Sequence, residues 1–171
     1  MTRRTHLRFA AAAMAAVGVA CAAGCTPAPL PGVLAMERTE TGGARALIAP
    51  CAQAVVLDFS VYAKGRTDGL YSWDVTNDAM SGGIASVDLF TAPPGWSVTD
   101  STLTDVQTEG TYKAKFWGSG AGYRALNGEL SFTAQQLASL KPGKVLVNKN
   151  GKTRTADRSA FLKYDPERCE P

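Results

Sequence analysis

The sequence is almost without histidine: His6 stands near the N-terminus, and no other histidine follows it. Histidine is the usual general base near neutral pH and the commonest metal ligand in proteins. Its absence from the rest of the chain excludes the Ser-His-Asp and Cys-His catalytic arrangements. No short motif pairs a nucleophile with another base. The sequence therefore predicts a protein that is not an enzyme and that binds no metal or cofactor.

The sequence also lacks an excess of charge of either sign outside its N-terminus. The formal net charge is +3, and Arg3, Arg4 and Arg8 account for it, which leaves 15 basic and 15 acidic residues from Cys25 onward. A nucleic-acid-binding domain usually carries a clear basic excess. The balance therefore argues against nucleic acid as a partner.

The N-terminal apolar run is too short to predict a membrane-spanning helix. It covers residues 9–23 and is dominated by alanine, whereas a span needs about 20 apolar residues. The basic segment Thr2–Arg8 precedes it, an order that is typical of a cleaved export signal. We therefore predict that residues 1–24 are a signal peptide.

Two short motifs in this leader resemble bacterial export signals. The paired arginines within residues 3–8 resemble a twin-arginine export motif, with general secretory export as the alternative. Residues 22–25, Ala-Ala-Gly-Cys, resemble a bacterial lipobox, whose cysteine is acylated and becomes the new N-terminus. The resemblance implies that Cys25 is lipidated and that the protein is anchored on the extracytoplasmic face of the cell membrane.

The cleavage position decides whether the protein is anchored or secreted. Cleavage after the A-x-A-like sequence Val33–Ala35 is the alternative and would give a secreted protein. We favour Cys25, because three prolines within residues 26–32 suit an extended tether. On this interpretation residues 25–43 are the lipidated cysteine and tether, and residues 44–171 are the folded domain.

Two cysteines remain for the folded domain, Cys51 near its start and Cys169 near its end. In an oxidising compartment two such thiols most simply form a disulfide. Closing a loop of this length stabilises the fold by roughly 4–5 kcal/mol in the chain-entropy model. Two free, buried thiols are the alternative. The polar tail Asp165–Cys169 argues against it, because it offers a thiol little to pack against.

Short segments of alternating polarity predict an all-β domain. The alternation is clearest over residues 54–64 and 111–117. Asn150-Gly151 is the strongest hairpin signal in the chain, because both positions tolerate positive φ. One short helical turn is predicted between Thr133 and Leu140. Further strands are predicted at 70–75, 84–91, 96–98, 103–107, 123–126, 129–132, 144–147, 152–155 and 159–164.

Seven to nine short antiparallel strands with frequent turns predict an immunoglobulin-like β-sandwich, with a small β-barrel as the alternative. Residues 137–146 resemble the turn before a late strand in fibronectin-type sandwiches. The chain as a whole resembles small lipoproteins of unknown function from high-GC Gram-positive bacteria, a resemblance that implies no particular activity.

Aromatic and basic side chains mark the segments that we predict to contact a partner. Trp117 falls on the lysine side of its strand, and Tyr123 follows the glycine-rich segment after it. Lys149, Lys152 and Arg154 form a basic hairpin suited to anionic lipid headgroups or an anionic wall polymer. Core packing of the aromatics and a solvated sheet edge are the simpler interpretations.

These observations favour a cell-envelope lipoprotein that acts as a non-catalytic binding module. It would be anchored by its N-terminal lipid and would recognise an envelope protein or a wall polymer. One alternative is a wall-modifying hydrolase, which requires two carboxylates in a cleft, roughly 5–9 Å apart if it is a glycosidase. The other is a structural accessory subunit of an envelope complex, which predicts a large apolar patch.

Overall fold

The structure, a computed structural model, describes residues 30–31, 33–49, 55–65, 71–77, 85–119 and 125–163. The predicted signal peptide and the predicted lipidation and disulfide positions, Cys25, Cys51 and Cys169, lie outside these residues, as does Tyr123. Those assignments therefore stay predictions. Within the described ranges, no helix is long and apolar enough to cross a membrane.

The described residues contain eleven strands and two short helices. Their bounds are β1 Leu30–Pro31, β2 Val33–Arg38, β3 Ala44–Ala49, β4 Val55–Ala63, β5 Ser72–Asn77, β6 Ala85–Asp88, β7 Trp96–Ser101, β8 Thr111–Ser119, β9 Ala125–Thr133, α1 Ala134–Ala138, β10 Lys144–Lys149, β11 Lys152–Asp157 and α2 Arg158–Leu162.

The strands form two sheets that pack face to face. Sheet A has the order β1-β9-β8-β4-β5-β7, and sheet B has the order β11-β10-β2-β3-β6. All pairings are antiparallel except that of β1 with β9. The prediction of an all-β sandwich is confirmed. The alternative of a small barrel is wrong, because the described strands form two open sheets.

The strand order is that of an immunoglobulin-like sandwich. In sheet B, β2, β3 and β6 take the positions of strands A, B and E, while in sheet A, β4, β8 and β9 take those of C, F and G. β5 and β7 extend sheet A past β4, and the β10–β11 hairpin extends sheet B past β2. The hairpin predicted from Asn150-Gly151 is confirmed. It is added to one edge of sheet B.

Aromatic side chains fill much of the core between the sheets. Trp73 packs edge-on against Phe59 and Phe90, with ring centroids 6.3 and 5.8 Å away. Tyr112 and Phe132, which are opposite each other on β8 and β9, stack at 5.5 Å. Such contacts contribute about 0.5–1.5 kcal/mol beyond the burial of apolar area. Burial in β8 alternates with period two as predicted, whereas in β4 a bulge between Val56 and Asp58 shifts the alternation, so that Val56 is buried together with Phe59 and Val61.

The folded domain begins earlier than the sequence predicts. β2 lies inside sheet B between β10 and β3, and its residues Leu34, Ala35 and Met36 are at most 3% exposed. The prediction that residues 25–43 are a tether is therefore wrong from Leu30 onward, and the domain starts at β1. Because β2 has one β-branched residue, Val33, strand propensity does not distinguish it from a cleavage region.

Three other predictions of local structure are wrong. Residues 103–107 form no strand, although Leu103 is buried. Residues 125–133 form one strand rather than two, because they pair with β8 without interruption. Residues 158–162 form helix α2 rather than a strand, and Phe161 packs against the outer side of sheet B, a tertiary contact that outweighs the weak strand pattern.

The predicted helical turn is confirmed as α1. Thr133 caps it by accepting a hydrogen bond at Oγ1 from the amide of Gln136, at 3.1 Å. The side chain of Gln136 reaches back, and its Oε1 accepts from the amide of Thr133 at 2.9 Å. This capping box satisfies two amides that a helix start leaves unpaired.

A buried carboxylate links α2 to sheet B. Glu37, at the end of β2, lies 2.6 Å from Nε of Arg158 and 3.7 Å from Nη1 of Arg45. Arg45 also donates to Asp88 on β6, and this hydrogen bond holds the pKa of Arg45 above its usual value. A buried charge is tolerated only when it is paired in this way. The network therefore ties the first helical turn of α2 to β2, β3 and β6.

We predict that a chain beginning at Met36 does not fold. It would lack β1 and the first half of β2, and the loss of Leu34 alone removes a core contact of about 2–5 kcal/mol. Total stabilities of domains are of the order of 5–15 kcal/mol. Thermal melts followed by circular dichroism would show a cooperative transition for residues 26–171 and none for residues 36–171.

A chain beginning at Pro29 is the matched control, because it is shortened but keeps both strands. It should melt like residues 26–171. An equal melting temperature for residues 36–171 would contradict the assigned role of β2.

Candidate functional site

The two ends of the sandwich carry different features. The chain enters β1 at one end, which we call the entry end, and β8 finishes there while β9 begins. β2 runs from the entry end to the opposite end, which we call the far end, and β10 returns antiparallel to it. The β10–β11 turn therefore points toward the entry end and lies beside the middle of β9, where Asn148 contacts Glu129, and α1 follows β9 at the far end.

Trp117 lies on the outer face of sheet A near the entry end. It is 46% exposed, and with Val98 it is one of two large apolar side chains that are strongly exposed in the described part of the chain. Its neighbours in the same cross-strand row are Asp58 on β4 and Asn127 on β9. Together with Lys115 and other groups these residues line a groove of about 510 Å³. The exposed indole is therefore set among polar side chains.

The charges beside this groove are partly paired. Lys113 Nζ lies 2.9 Å from Oε2 of Glu129, and this hydrogen bond raises the pKa of Lys113 and lowers the pKa of Glu129. The ammonium group of Lys115 lies 5.6 Å from the centre of the Tyr62 ring, in a cation–π contact. The outer face of sheet A thus presents ionised groups of both signs around one tryptophan.

The basic hairpin is fastened to sheet A beside the middle and later part of β9. Lys149 and Lys152 pair directly across the turn, both are exposed, and neither forms an ion pair with any described residue. Arg154, opposite Val147, is exposed as well. Asn148 Nδ2 donates to the carbonyl of Glu129 at 3.2 Å on the free part of the β9 edge. Thr153 donates to another β9 carbonyl, that of Ser131.

An apolar cleft opens at the far end. Its volume is about 360 Å³, within the range of small-ligand pockets. The lining is contributed by the end of β2, the β2–β3 turn, the start of β3, the segment after β6, the segment before β8, and α1. It includes Leu89, Phe90, Val106, Ala134 and Leu137. Arg38 and Asp105 place one charge of each sign in the cleft wall, so apolar contact dominates what it offers a ligand.

Phe90 holds a strained backbone conformation in the wall of this cleft. Its φ is +66°, in a region that bulky L-residues rarely adopt. The ring stacks edge-on with Trp73 in the core, 5.8 Å away, and this contact helps to hold the conformation. Strain of this kind costs roughly 1–3 kcal/mol and is concentrated at functional sites. The strained residue therefore marks the cleft as a candidate binding site.

Two carboxylates converge on Ser72, on sheet A. The Ser72 hydroxyl lies 3.0 Å from Asp74 and 2.5 Å from Asp100, which face each other across β5 and β7. Hydrogen bonds from Ser72 and from the amide of Thr102 lower the pKa of Asp100. A glycosidase needs one carboxyl whose pKa is raised, so that it can donate a proton. The pKa of Asp100 is lowered instead, which is the opposite of what a proton-donating carboxyl requires.

The described residues contain no group of three or more histidine, cysteine or acidic side chains placed to hold a metal ion. Comparison of the chain with models of protein families, with curated proteins and with solved structures yields no match. The candidate site is therefore argued from its own geometry.

The residues that the sequence analysis assigned to one partner-binding surface lie apart in the structure. The structure also brings together residues that the sequence analysis did not group. Trp117 lies on the outer side of sheet A, whereas Lys149, Lys152 and Arg154 lie on the outer side of sheet B, and Tyr123 lies outside the described residues. The far-end cleft is absent from the sequence-based prediction. Leu89 and Phe90 extend an apolar strand pattern, and only the positive φ of Phe90 shows that the chain turns there.

We predict that Glu129→Gln lowers the free energy of unfolding at neutral pH by up to about 1 kcal/mol, the range of exposed ion pairs. The lowered pKa of Glu129 means that the pair stabilises the fold above the usual glutamate value of 4.5. This contribution is lost as the pH falls through the lowered pKa. Urea unfolding at a series of pH values would measure it, with Glu109→Gln as the control. A difference that grows on acidification would contradict the assignment.

Proposed function

We propose that this chain is an exported, lipid-anchored protein of the cell envelope whose β-sandwich is a non-catalytic binding module. The leader and the lipobox-like sequence support export and acylation at Cys25. The observation that carries the proposal is the place where the fold begins. β1 starts at Leu30, five residues after Cys25, and β2 uses the residues on both sides of the competing cleavage site.

The burial of β2 argues against cleavage after Ala35. Leu34 is 3% exposed and Ala35 is fully buried, and cleavage between Ala35 and Met36 would divide β2 in its middle. Cleavage before Cys25 removes none of the described strands. Packing in sheet B therefore supports the anchored form over the secreted form, a choice that the two cleavage motifs alone leave open.

The far-end cleft supports a binding role for the module. It faces away from the end at which the chain enters, so an anchor at Cys25 leaves its mouth free. Its volume of about 360 Å³ and its apolar lining suit a small, mainly apolar ligand. The strained Phe90 in its wall supports the same assignment.

The anchor is tested by the intact mass of protein extracted from membranes of an expressing bacterium. We expect the mass of residues 25–171 plus acyl chains, and we expect Cys25→Ser to abolish acylation because the thiol is the acceptor. Cys51→Ser is the control and should retain the acyl mass. A non-acylated product that begins near Met36 would overturn the anchored assignment.

The cleft is tested with the fluorescent apolar dye N-phenylnaphthylamine. We expect saturable binding to residues 26–171, and we expect Ala138→Trp to abolish it by filling the cleft. Gln135→Trp is the matched control, because it lies exposed on the same helix outside the lining. Dye binding that survives in Ala138→Trp, or that never saturates, would contradict a ligand role for the cleft.

A further inference from the structure

The outer face of sheet A carries a groove built around the exposed side chain of Trp117. Trp117 on β8 lies between Asp58 on β4 and Asn127 on β9 in one cross-strand row. Neighbouring strands are about 4.8 Å apart, so a polar residue flanks the tryptophan on each side at about this spacing. The next row along the strands on the same face consists of Ser60, Lys115 and Glu129. All six residues line the groove of about 510 Å³, which we call the Trp117 groove.

The indole is exposed on a firmly held strand. Trp117 is 46% exposed, whereas its neighbours along β8, Phe116 and Gly118, are buried. β8 pairs with β9 without interruption over Thr111–Ser119, and it pairs with β4 on its other side. A large apolar side chain left in water is unfavourable, and a ligand that covers it removes this cost. Because the backbone is already fixed, little conformational entropy is lost when such a ligand binds.

A β-bulge in β4 lies beside this row. The register of Val55 and Val56 with β8, continued without a shift, would place Leu57 opposite Trp117. The bulge between Val56 and Asp58 places Asp58 there instead. Bulges redirect side chains and are common next to active sites. The carboxylate beside the indole therefore results from a local irregularity of the strand.

The polar groups of the groove keep hydrogen-bonding capacity for a ligand. Oδ1 of Asp58 accepts a hydrogen bond from Oγ1 of Thr76 at 2.8 Å, and its Oδ2 accepts none from the described residues. The side chains of Ser60 and Asn127 form no hydrogen bond within the described part of the chain. A carboxylate accepts through both oxygens, and an amide both donates and accepts. The row therefore offers polar groups to a ligand on both sides of the indole.

The charges at the groove balance. Asp58 and Glu129 contribute carboxylates, and Lys115 contributes an ammonium group. Lys113, beside the groove, lies 2.9 Å from Oε2 of Glu129 and offsets the second carboxylate. A strongly anionic ligand would meet two carboxylates, and a strongly cationic ligand would meet two ammonium groups. The groove therefore suits an uncharged ligand that forms hydrogen bonds.

A pyranose ring fits an indole that has polar neighbours. The face of an aromatic ring carries partial negative charge, and the C–H groups on the face of a sugar ring carry partial positive charge, so the two faces attract. In gluco-configured sugars the hydroxyl groups are equatorial, which leaves both ring faces apolar and places the hydroxyls around the rim. A ring stacked on Trp117 would therefore direct hydroxyls toward Asp58 and Asn127. A few polar groups around an apolar surface give such a site its specificity.

We propose that the Trp117 groove binds an uncharged, gluco-configured polysaccharide, with one pyranose ring stacked on Trp117 and its hydroxyls bonded to Asp58 and Asn127. The groove shares no lining residue with the far-end cleft. The proposal therefore depends neither on that cleft nor on the anchor at Cys25. It gives the β-sandwich a second binding site, for a polymer rather than for a small apolar molecule.

Calorimetric titration of residues 26–171 with cellohexaose and with hexa-N-acetylchitohexaose tests the groove. We expect saturable binding of at least one of them at a single site. Trp117→Ala should lower the association constant by roughly 30-fold, an effect typical of truncating a central aromatic contact. Trp117→Phe should retain part of the affinity, because it keeps a smaller aromatic face. Val98→Ala is the matched control, since it truncates the other strongly exposed apolar side chain on the described part of the same sheet, outside the groove.

Asp58→Asn separates hydrogen bonding from stacking. It keeps an acceptor for Thr76 but replaces a charged acceptor with a neutral one, which should lower the association constant by roughly five- to ten-fold. Glu109→Gln, on the segment before β8, removes the same charge outside the groove lining and should bind like the parent protein. Melts followed by circular dichroism would show that both variants remain folded.

Failure of both oligosaccharides to bind, or binding that Trp117→Ala leaves unchanged, would overturn the proposal. Tighter binding of a hyaluronan hexasaccharide would do so as well, because its rings share the equatorial configuration but carry carboxylates. A dimer in sedimentation velocity that is absent in Trp117→Ala would show that a second copy of the chain occupies the groove instead. Neither acylation at Cys25 nor dye binding in the far-end cleft affects these readouts, so this proposal and the proposed function fail separately.

Discussion

The pairing of β2 with both β3 and β10 is the interaction on which sheet B depends. β2 is the strand that connects the immunoglobulin-like part of this sheet to the added β10–β11 hairpin. Leu34 and Met36 enter the main core, while Ala35 packs with Phe161 on the outer side. Glu37 then fixes the start of α2 through Arg158. Four consecutive residues thereby hold three separate parts of the domain together.

The N-terminal segment also joins the two sheets at one end. β1 belongs to sheet A and β2 to sheet B, although only residue 32 separates them. An N-terminal strand divided in this way makes the first residues of the domain integral to its stability. It also leaves only five residues between the proposed lipid-bearing Cys25 and the first described strand.

The proposed binding cleft lies at one end of the sandwich because loops and turns gather there. Beside β9, the β10–β11 hairpin presents Lys149 and Lys152 on the outer side of sheet B, where neither forms an ion pair with a described residue. At the far end, α1 and the segments next to β6 and β8 enclose an apolar space beside the strained Phe90. The pairing of β8 with β9 is continuous over nine residues, whereas the pairing of β4 with β8 contains a bulge between Val56 and Asp58.

Local patterns in the sequence were sufficient for the fold class, for the β10–β11 hairpin at Asn150-Gly151 and for the cap at Thr133, because each depends on residues close together in the chain. Alternation also indicated the outward position of Trp117. Tertiary structure alone decided that Val33–Ala35 is a strand, that Phe161 belongs to a helix, and that Phe90 turns the chain into a cleft wall. In each case contacts between residues far apart in sequence outweigh weak or misleading local preference, and such contacts leave no short-range signal.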